Sequence, residues 1–225
     1  NHYGVFFSLL IAPFAMLPDG FGAVLWNVAI TLVFLYAIYK LPFSDRKKSF
    51  FAWLCLQEFI TAATYFQFNI ILTGLLMLSA IYIYERKEAQ SAFSILIGTF
   101  VKVYGIVGLS AFFFIKNKFK FILSFIIIAI LFFVLPMLIS SPKFGVQSYI
   151  DWYVSLSGNN LENQALGTRQ DYSLMGVVRR ILQNPNISNL LFLIPGAIVF
   201  MLPYLRIKQY KYLPFQLMIL ASTLL

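Results

Sequence analysis

Runs of 15 to 25 predominantly apolar residues recur along the whole chain, separated by short clusters of charge. Each run is long enough to cross, or nearly cross, a hydrocarbon core about 30 Å thick. Residues 22–39, 50–66, 68–84, 121–139 and 190–205 read as spans, another starts at residue 213, and 50–66 pairs with 68–84 as a hairpin joined at "QFN". Residues 3–17, "YGVFFSLLIAPFAML", are short for a span, contain Pro13 and end at the turn signal "PDG". They read as a half-helix that returns to the side it came from. A membrane β-barrel needs alternating segments of about ten residues, and "FILSFIIIAILFFVL" does not alternate. The pattern predicts an all-α fold: a polytopic transmembrane helical bundle with half-helices or re-entrant segments.

One long polar stretch interrupts it, residues 140–188. Within it "SYIDWYVSLS" spaces Tyr149, Trp152, Tyr153 and Leu156 as one helical face, with Asp151 and Ser155 opposite. That suits a short helix at headgroup level, where Trp and Tyr prefer to sit. "DYSLMGVVRRIL" predicts a second amphipathic helix, capped by Ser173, with Leu174, Val177, Val178, Ile181 and Leu182 as its buried stripe and Arg179 and Arg180 beside it. Between them "NNLENQALGTRQ" lacks periodicity and reads as a loop rich in hydrogen-bonding groups.

Composition agrees with the pattern: 60% of the 225 residues are hydrophobic and 11% are charged, far from a soluble domain. The net charge of +9 does not point to nucleic acid, because the basic residues lie in short clusters between apolar runs and act as topology signals. The loops "KLPFSDRKK", "ERKE", "KNKFK" and "RIKQYK" hold twelve of the seventeen basic residues, against four in 140–188. If those four loops face the cytoplasm, residues 140–188 form a large extracytoplasmic loop. This topology requires the apolar segment 91–115 to double back, since "ERKE" and "KNKFK" flank it. Gly98, Gly105, Gly108 and a central Lys102 are what a buried pair of half-helices would carry. The alternative is one long tilted helix with a snorkelling lysine.

Candidate chemistry concentrates in the polar stretch. Amides and carboxylates such as Asn163, Gln164 and Glu162 suit sugar hydroxyls, and the guanidinium groups of Arg169, Arg179 and Arg180 suit phosphate oxygens. The same residues could equally touch lipid headgroups and pack the loop over the bundle. Lys102 is a further candidate for lipid phosphate, while Glu58, near Gln57 and Thr61, reads as structural. A single cysteine, Cys55, and a single histidine, His2, make no metal-ligand cluster, and no cofactor is expected.

The order of these pieces resembles glycosyltransferase family 87, the polyprenyl-phosphate-sugar-dependent enzymes of the GT-C type that include bacterial α-mannosyltransferases. In that family a Tyr-Pro-Pro segment precedes a short apolar stretch ending in proline and then a Leu-Trp pair. Here "HYGVFFSLLIAPFAMLPDGFGAVLW" follows that order from Tyr3, with Gly4 and Val5 in place of the prolines. The family's Gln-x-Asn is matched by Gln67 and Asn69 in "QFNIILTGLL", and its mid-segment lysine by Lys102 in "GTFVKVYGIVGL", without the following proline. Its Asn-Gln-Ser-Leu element and amphipathic Arg-Leu-Leu helix match "ENQALGTRQDYSLMGVVRRIL", with Ala165 for serine.

The resemblance implies transfer of a sugar, a hexose such as mannose, from a polyprenyl-phosphate donor to a lipid-linked or glycan acceptor. The protein is then expected in a bacterial inner membrane with its active face outward, in contact with membrane lipids and without nucleic acid. It also implies a catalytic aspartate in a first outer loop ahead of Asn1, in a chain longer than these residues. Asp19 is not given that role, because "LPDG" reads as a turn. Two other functions suit the same features, a transporter or flippase of lipid-linked sugars and a GT-C-type glycan ligase or polymerase.

Overall fold

The computed structural model describes residues 3–164, 173–202 and 205, with the backbone alone for 159–164 and 200. The described chain is an all-α bundle. In order it contains α1 (Phe7–Ala15), α2 (Asp19–Lys40), α3 (Asp45–Leu54), α4 (Leu56–Thr64), α5 (Asn69–Tyr84) and α6 (Glu88–Val101). A 3-10 segment (Val103–Phe114), α7 (Lys118–Ile139), α8 (Pro142–Gln164), α9 (Leu174–Ile181) and α10 (Leu190–Met201) complete it.

The core is built around α5. Its residues are buried on every side, from Ile70 and Leu72 through Leu75, Leu76, Met77 and Ile81, because an apolar helix without a polar stripe is stable only when surrounded. From α2 a narrower stripe packs onto it, Trp26, Ile30, Phe34, Ala37 and Ile38 at intervals of three and four. On the other flank lies α6, and α7 follows α6. Residues of α7 such as Ile126, Ile127, Ile130 and Leu131 remain exposed. So extended an apolar surface is incompatible with water and natural against lipid. By length and composition α2 and α7 can each cross a membrane.

Segment 91–115 doubles back. Helix α6 ends at Lys102, whose backbone is extended (φ −134°, ψ 124°), and the 3-10 segment then returns along it. Ala111, Phe114 and Ile115 come to lie on Ala92 and Ile95, near where α6 began. Two glycines permit this. A Cβ on Gly105 would stand 2.2 Å from the backbone of Gly98 and Thr99, so no side chain fits between the two arms. The single tilted helix is therefore not what forms.

As a result three of the basic loops, "KLPFSDRKK", "ERKE" and "KNKFK", gather at one end. Lys40 at the end of α2 lies 3.7 Å from Glu85 at the end of α5, and Lys120 at the start of α7 lies 3.8 Å from Glu88 at the start of α6. Lys87 also binds Glu85, at 2.6 Å. That hydrogen bond from Lys87, with the charge of Lys40 behind it, holds the Glu85 carboxyl below its ordinary range.

Three expectations are corrected. The expected span 50–66 begins earlier, at Asp45, and bends at Cys55 into α3 and α4, with the amide of Cys55 and its carbonyl still bonded to Phe51 and Phe59. Asp19 is not in a turn; it opens α2, following Pro18 and lying in the first helical turn, where a carboxylate complements the macrodipole. The polar stretch holds one long helix, α8, running to Gln164. Residues 159–164, expected in a loop, are helical, while 165–172 lie outside the described residues.

Helix α8 turns back beside α7. The Tyr149 ring stacks on Phe133 at 4.8 Å and its hydroxyl donates to the Phe132 carbonyl at 3.3 Å. Tyr153, expected with Tyr149 and Trp152 on the headgroup-level face, is exposed.

Candidate functional site

The end of the bundle away from the basic loops holds the site. Helix α4 ends with Phe66 in the left-handed region (φ 52°), and the amide of Gln67 bonds back to the Ala62 carbonyl across the turn. This six-residue closure ordinarily uses glycine. Phenylalanine is held there because the Trp26 indole, from α2, donates to the Phe66 carbonyl at 3.2 Å. The turn sets the entry of α5, so Gln67, Phe68 and Asn69 face the segment ahead of α1. There the Tyr3 hydroxyl accepts a hydrogen bond from the Phe68 amide at 3.3 Å.

Lys102 completes the cluster from the break after α6. Its ammonium donates to Asn69 Oδ1 at 2.6 Å, and Asn69 Nδ2 donates in turn to Gln67 Oε1 at 2.8 Å. Nζ also stands 5.3 Å from the centre of the Tyr3 ring, within the range of a cation–π contact. Residues 3, 67, 69 and 102 thus form one connected group. Among the described residues no carboxylate lies within 4 Å of Lys102. Lys102 is half-buried and Asn69 is exposed, so the ammonium is drawn out of bulk water yet open to a ligand.

Backbone contacts lock the cluster. The Gly4 amide donates to the Val101 carbonyl at 2.8 Å, next to Lys102. A Cβ on Gly4 would fall 2.0 Å from the Phe100 carbonyl oxygen and 3.0 Å from the Trp152 ring of α8. Glycine where the resembling family has proline is thus a requirement of this packing. Phe6, Phe100 and Phe132 close the floor beneath, with Phe6 and Phe132 stacked at 4.3 Å. Trp152 was legible only as an interfacial aromatic, and no periodicity could have placed its ring on Gly4.

The polar-stretch candidates fare differently. Glu162, Asn163 and Gln164 occupy the last turn of α8, where the structure describes backbone alone, and Arg169 lies outside the described residues. Arg179 is buried, at 2% exposure, and its Nε and Nη2 donate to the Ile187 carbonyl at 3.1 and 2.7 Å, with a further bond from Nη2 to Asn189 Oδ1. It clamps the turn between α9 and α10, and those donors are not available to a phosphate. Arg180 is half-buried, with Nε 3.3 Å from the Gly176 carbonyl. Ser173 caps α9 as expected, accepting from the Gly176 amide. The stripe expected to be buried is turned out instead, with Leu174, Ile181 and Leu182 exposed.

Glu58, on α4, is exposed, and Thr61 bonds the carbonyl of Gln57 rather than the carboxylate. It takes no part in the cluster.

Comparison with known proteins gives a match to one family. No curated protein and no solved structure matches the chain. The model of glycosyltransferase family 87 matches residues 1–225: the chain belongs to that family and is a membrane glycosyltransferase.

Proposed function

We propose that the protein transfers a hexose such as mannose from a polyprenyl-phosphate donor to a hydroxyl of a lipid-linked or glycan acceptor, on the extracytoplasmic face of a bacterial inner membrane. The observation that carries this reading is Lys102. A half-buried ammonium whose hydrogen-bond partner is a neutral amide, with no described carboxylate beside it, is costly unless an anion completes it. A donor phosphate at the membrane surface supplies that anion.

In this reading the Lys102 ammonium meets the phosphate. Asn69, Gln67 and Tyr3 hold the ammonium in place, leaving two of its three N–H groups for phosphate oxygens. Glu162, Asn163 and Gln164 meet sugar hydroxyls from the end of α8, and Arg169 and Arg180 support the phosphate. The acceptor oxygen bonds to the anomeric carbon, the bond from that carbon to the phosphate oxygen breaks, and the acceptor proton leaves to a base. Positive charge at the departing phosphate lowers the barrier because the charge there grows as the bond breaks. The four basic loops then face the cytoplasm and the site faces outward, in agreement with the bias of lysine and arginine in short loops.

The test is sugar transfer by the full-length protein from a radiolabelled polyprenyl-phosphate hexose. Lys102→Gln is expected to lower kcat/KM about a hundredfold, and Gln164→Ala to lower turnover strongly, both without loss of folded protein. Wild-type rates in both variants would overturn the assignment. Movement of labelled donor across sealed vesicles without transfer to any acceptor would identify a transporter instead.

A further inference from the structure

The charge balance around Lys102 has a consequence for turnover, which rests on the lipid-phosphate reading above. The donor is a phosphodiester and carries one negative charge. When its sugar leaves, the lipid phosphate becomes a monoester, with a second ionisation near pH 6 and a charge approaching −2 at pH 7. One cation held by neutral groups interacts more strongly with the second of these than with the first.

Among the described residues, few groups face this ammonium. Tyr3 presents its ring ahead of α1, Asn69 and Gln67 present amides at the start of α5, and no described carboxylate lies within 4 Å. Of the titratable residues on neighbouring elements, Tyr104 of the 3-10 segment is exposed, and Asp151 of α8 accepts from Gln147 Nε2 at 2.8 Å. Nothing described near the ammonium repels a dianion, and nothing described would expel the product once the sugar has gone.

We infer that the Lys102 cluster is a product-retaining site: the polyprenyl monophosphate released by transfer binds there more tightly than the donor and inhibits the enzyme. The site therefore depends on a reaction that removes or recharges the monophosphate, by glycosylating it or hydrolysing it.

Two probes test this in the full-length protein in detergent: a polyprenyl monophosphate, and its methyl phosphodiester, which has the same lipid but one charge. Competition against the donor is measured from pH 5.5 to pH 8. The monophosphate is expected to inhibit about tenfold more tightly than the diester at pH 8, a difference of ~1.4 kcal/mol. The two are expected to converge at pH 5.5, where the monoester is largely singly charged. Lys102→Gln should narrow the difference while leaving the lipid contribution common to both probes. Equal inhibition by the two probes throughout, in the wild-type protein, overturns product retention and leaves the donor reading standing. If neither probe competes with the donor, both the retention and the lipid-phosphate reading fail. The comparison in unmodified protein does not depend on the variant folding.

Discussion

Gly105 shows how far one missing side chain can decide the site. Its Cα packs 3.3 Å from where a Cβ on Gly98 would lie, and a Cβ on Gly105 itself would meet peptide backbone at 2.2 Å. Backbone cannot rotate away as a side-chain tip can, so Gly105→Ala must push the two arms of segment 91–115 apart and displace Lys102. A destabilisation of about 3 kcal/mol is expected, with activity lost in the protein that remains folded, measured by thermal unfolding in detergent beside a transfer assay. Gly158→Ala is the control, since nothing lies within 4 Å of its added Cβ and alanine suits a helix better; it should unfold no earlier than wild type. Equal behaviour of the two variants would mean that the arms do not touch. Lys102 was legible in the sequence as an anomaly, a charge midway along an apolar run. Its partners were not, because Asn69 is 33 residues away and only the fold-back brings it within 2.6 Å.

At the scale of elements, α9 reverses what its pattern suggests. Its sequence has a clear amphipathic stripe and two arginines at its end, which reads as an apolar face buried and a basic face exposed. In the structure Arg179 is the buried residue and the stripe is turned out. The cause is the turn that follows. Gln183 adopts a positive φ of 50°, the Asn184 amide bonds back to the Arg179 carbonyl, and the Arg179 side chain reaches forward to the Ile187 carbonyl and Asn189. A planar guanidinium holds its donors in a fixed fork that spans these two acceptors, a geometry that a compact ammonium does not reproduce. Arg179→Ala and Arg179→Lys are therefore both expected to loosen this turn, by about 2 kcal/mol for the alanine, seen as faster proteolysis within residues 183–189. KM for the donor should stay at the wild-type value in either variant. A raised KM with unchanged proteolysis would return Arg179 to phosphate binding. Local pattern thus located the helix and its Ser173 cap, while the direction of the helix face depended on contacts with residues 187 and 189.

The whole molecule separates two ends. Helices α5 and α6 contain sixteen and fourteen residues, so the described basic loops and the Lys102 cluster stand about 21–24 Å apart. Accessibility labelling checks this arrangement. With Cys55 replaced by alanine, single cysteines at Lys47, Arg86 and Asn117 are expected to react from one side of the membrane and a cysteine at Gly158 from the other. Reaction of positions 86 and 117 from opposite sides would show that segment 91–115 crosses. The paired charges at the basic end also set a pH response. Because Glu85 ionises below its ordinary range, its contribution is present above the unfolded carboxylate value and is lost as pH falls through the lower folded one. Thermal stability should therefore decline over that acidic window by no more than an exposed network supplies, under about 1 kcal/mol. Glu85→Gln should flatten the decline, and an unchanged decline would place its origin in other carboxylates.

The apolar runs by themselves determined that this chain is an all-α membrane bundle, because run length against bilayer thickness and the lack of alternation depend only on local sequence. The clustering of lysine and arginine likewise implied that the "ERKE" and "KNKFK" loops share an end, and the ordered motifs carried the family. What only the tertiary structure decided was convergence. Tyr3, Gln67, Asn69 and Lys102 come from three separate stretches of chain, and they meet because a positive-φ turn ends α4, a glycine pair lets the 3-10 segment return along α6, and Gly4 lets the leading segment lie on the Phe100 carbonyl. Each of these is a close approach between backbones. Periodicity records which face of a helix is oily, whereas the approach of one backbone to another is fixed by the absence of atoms at positions far apart in the chain, and only the assembled fold shows which absences face each other.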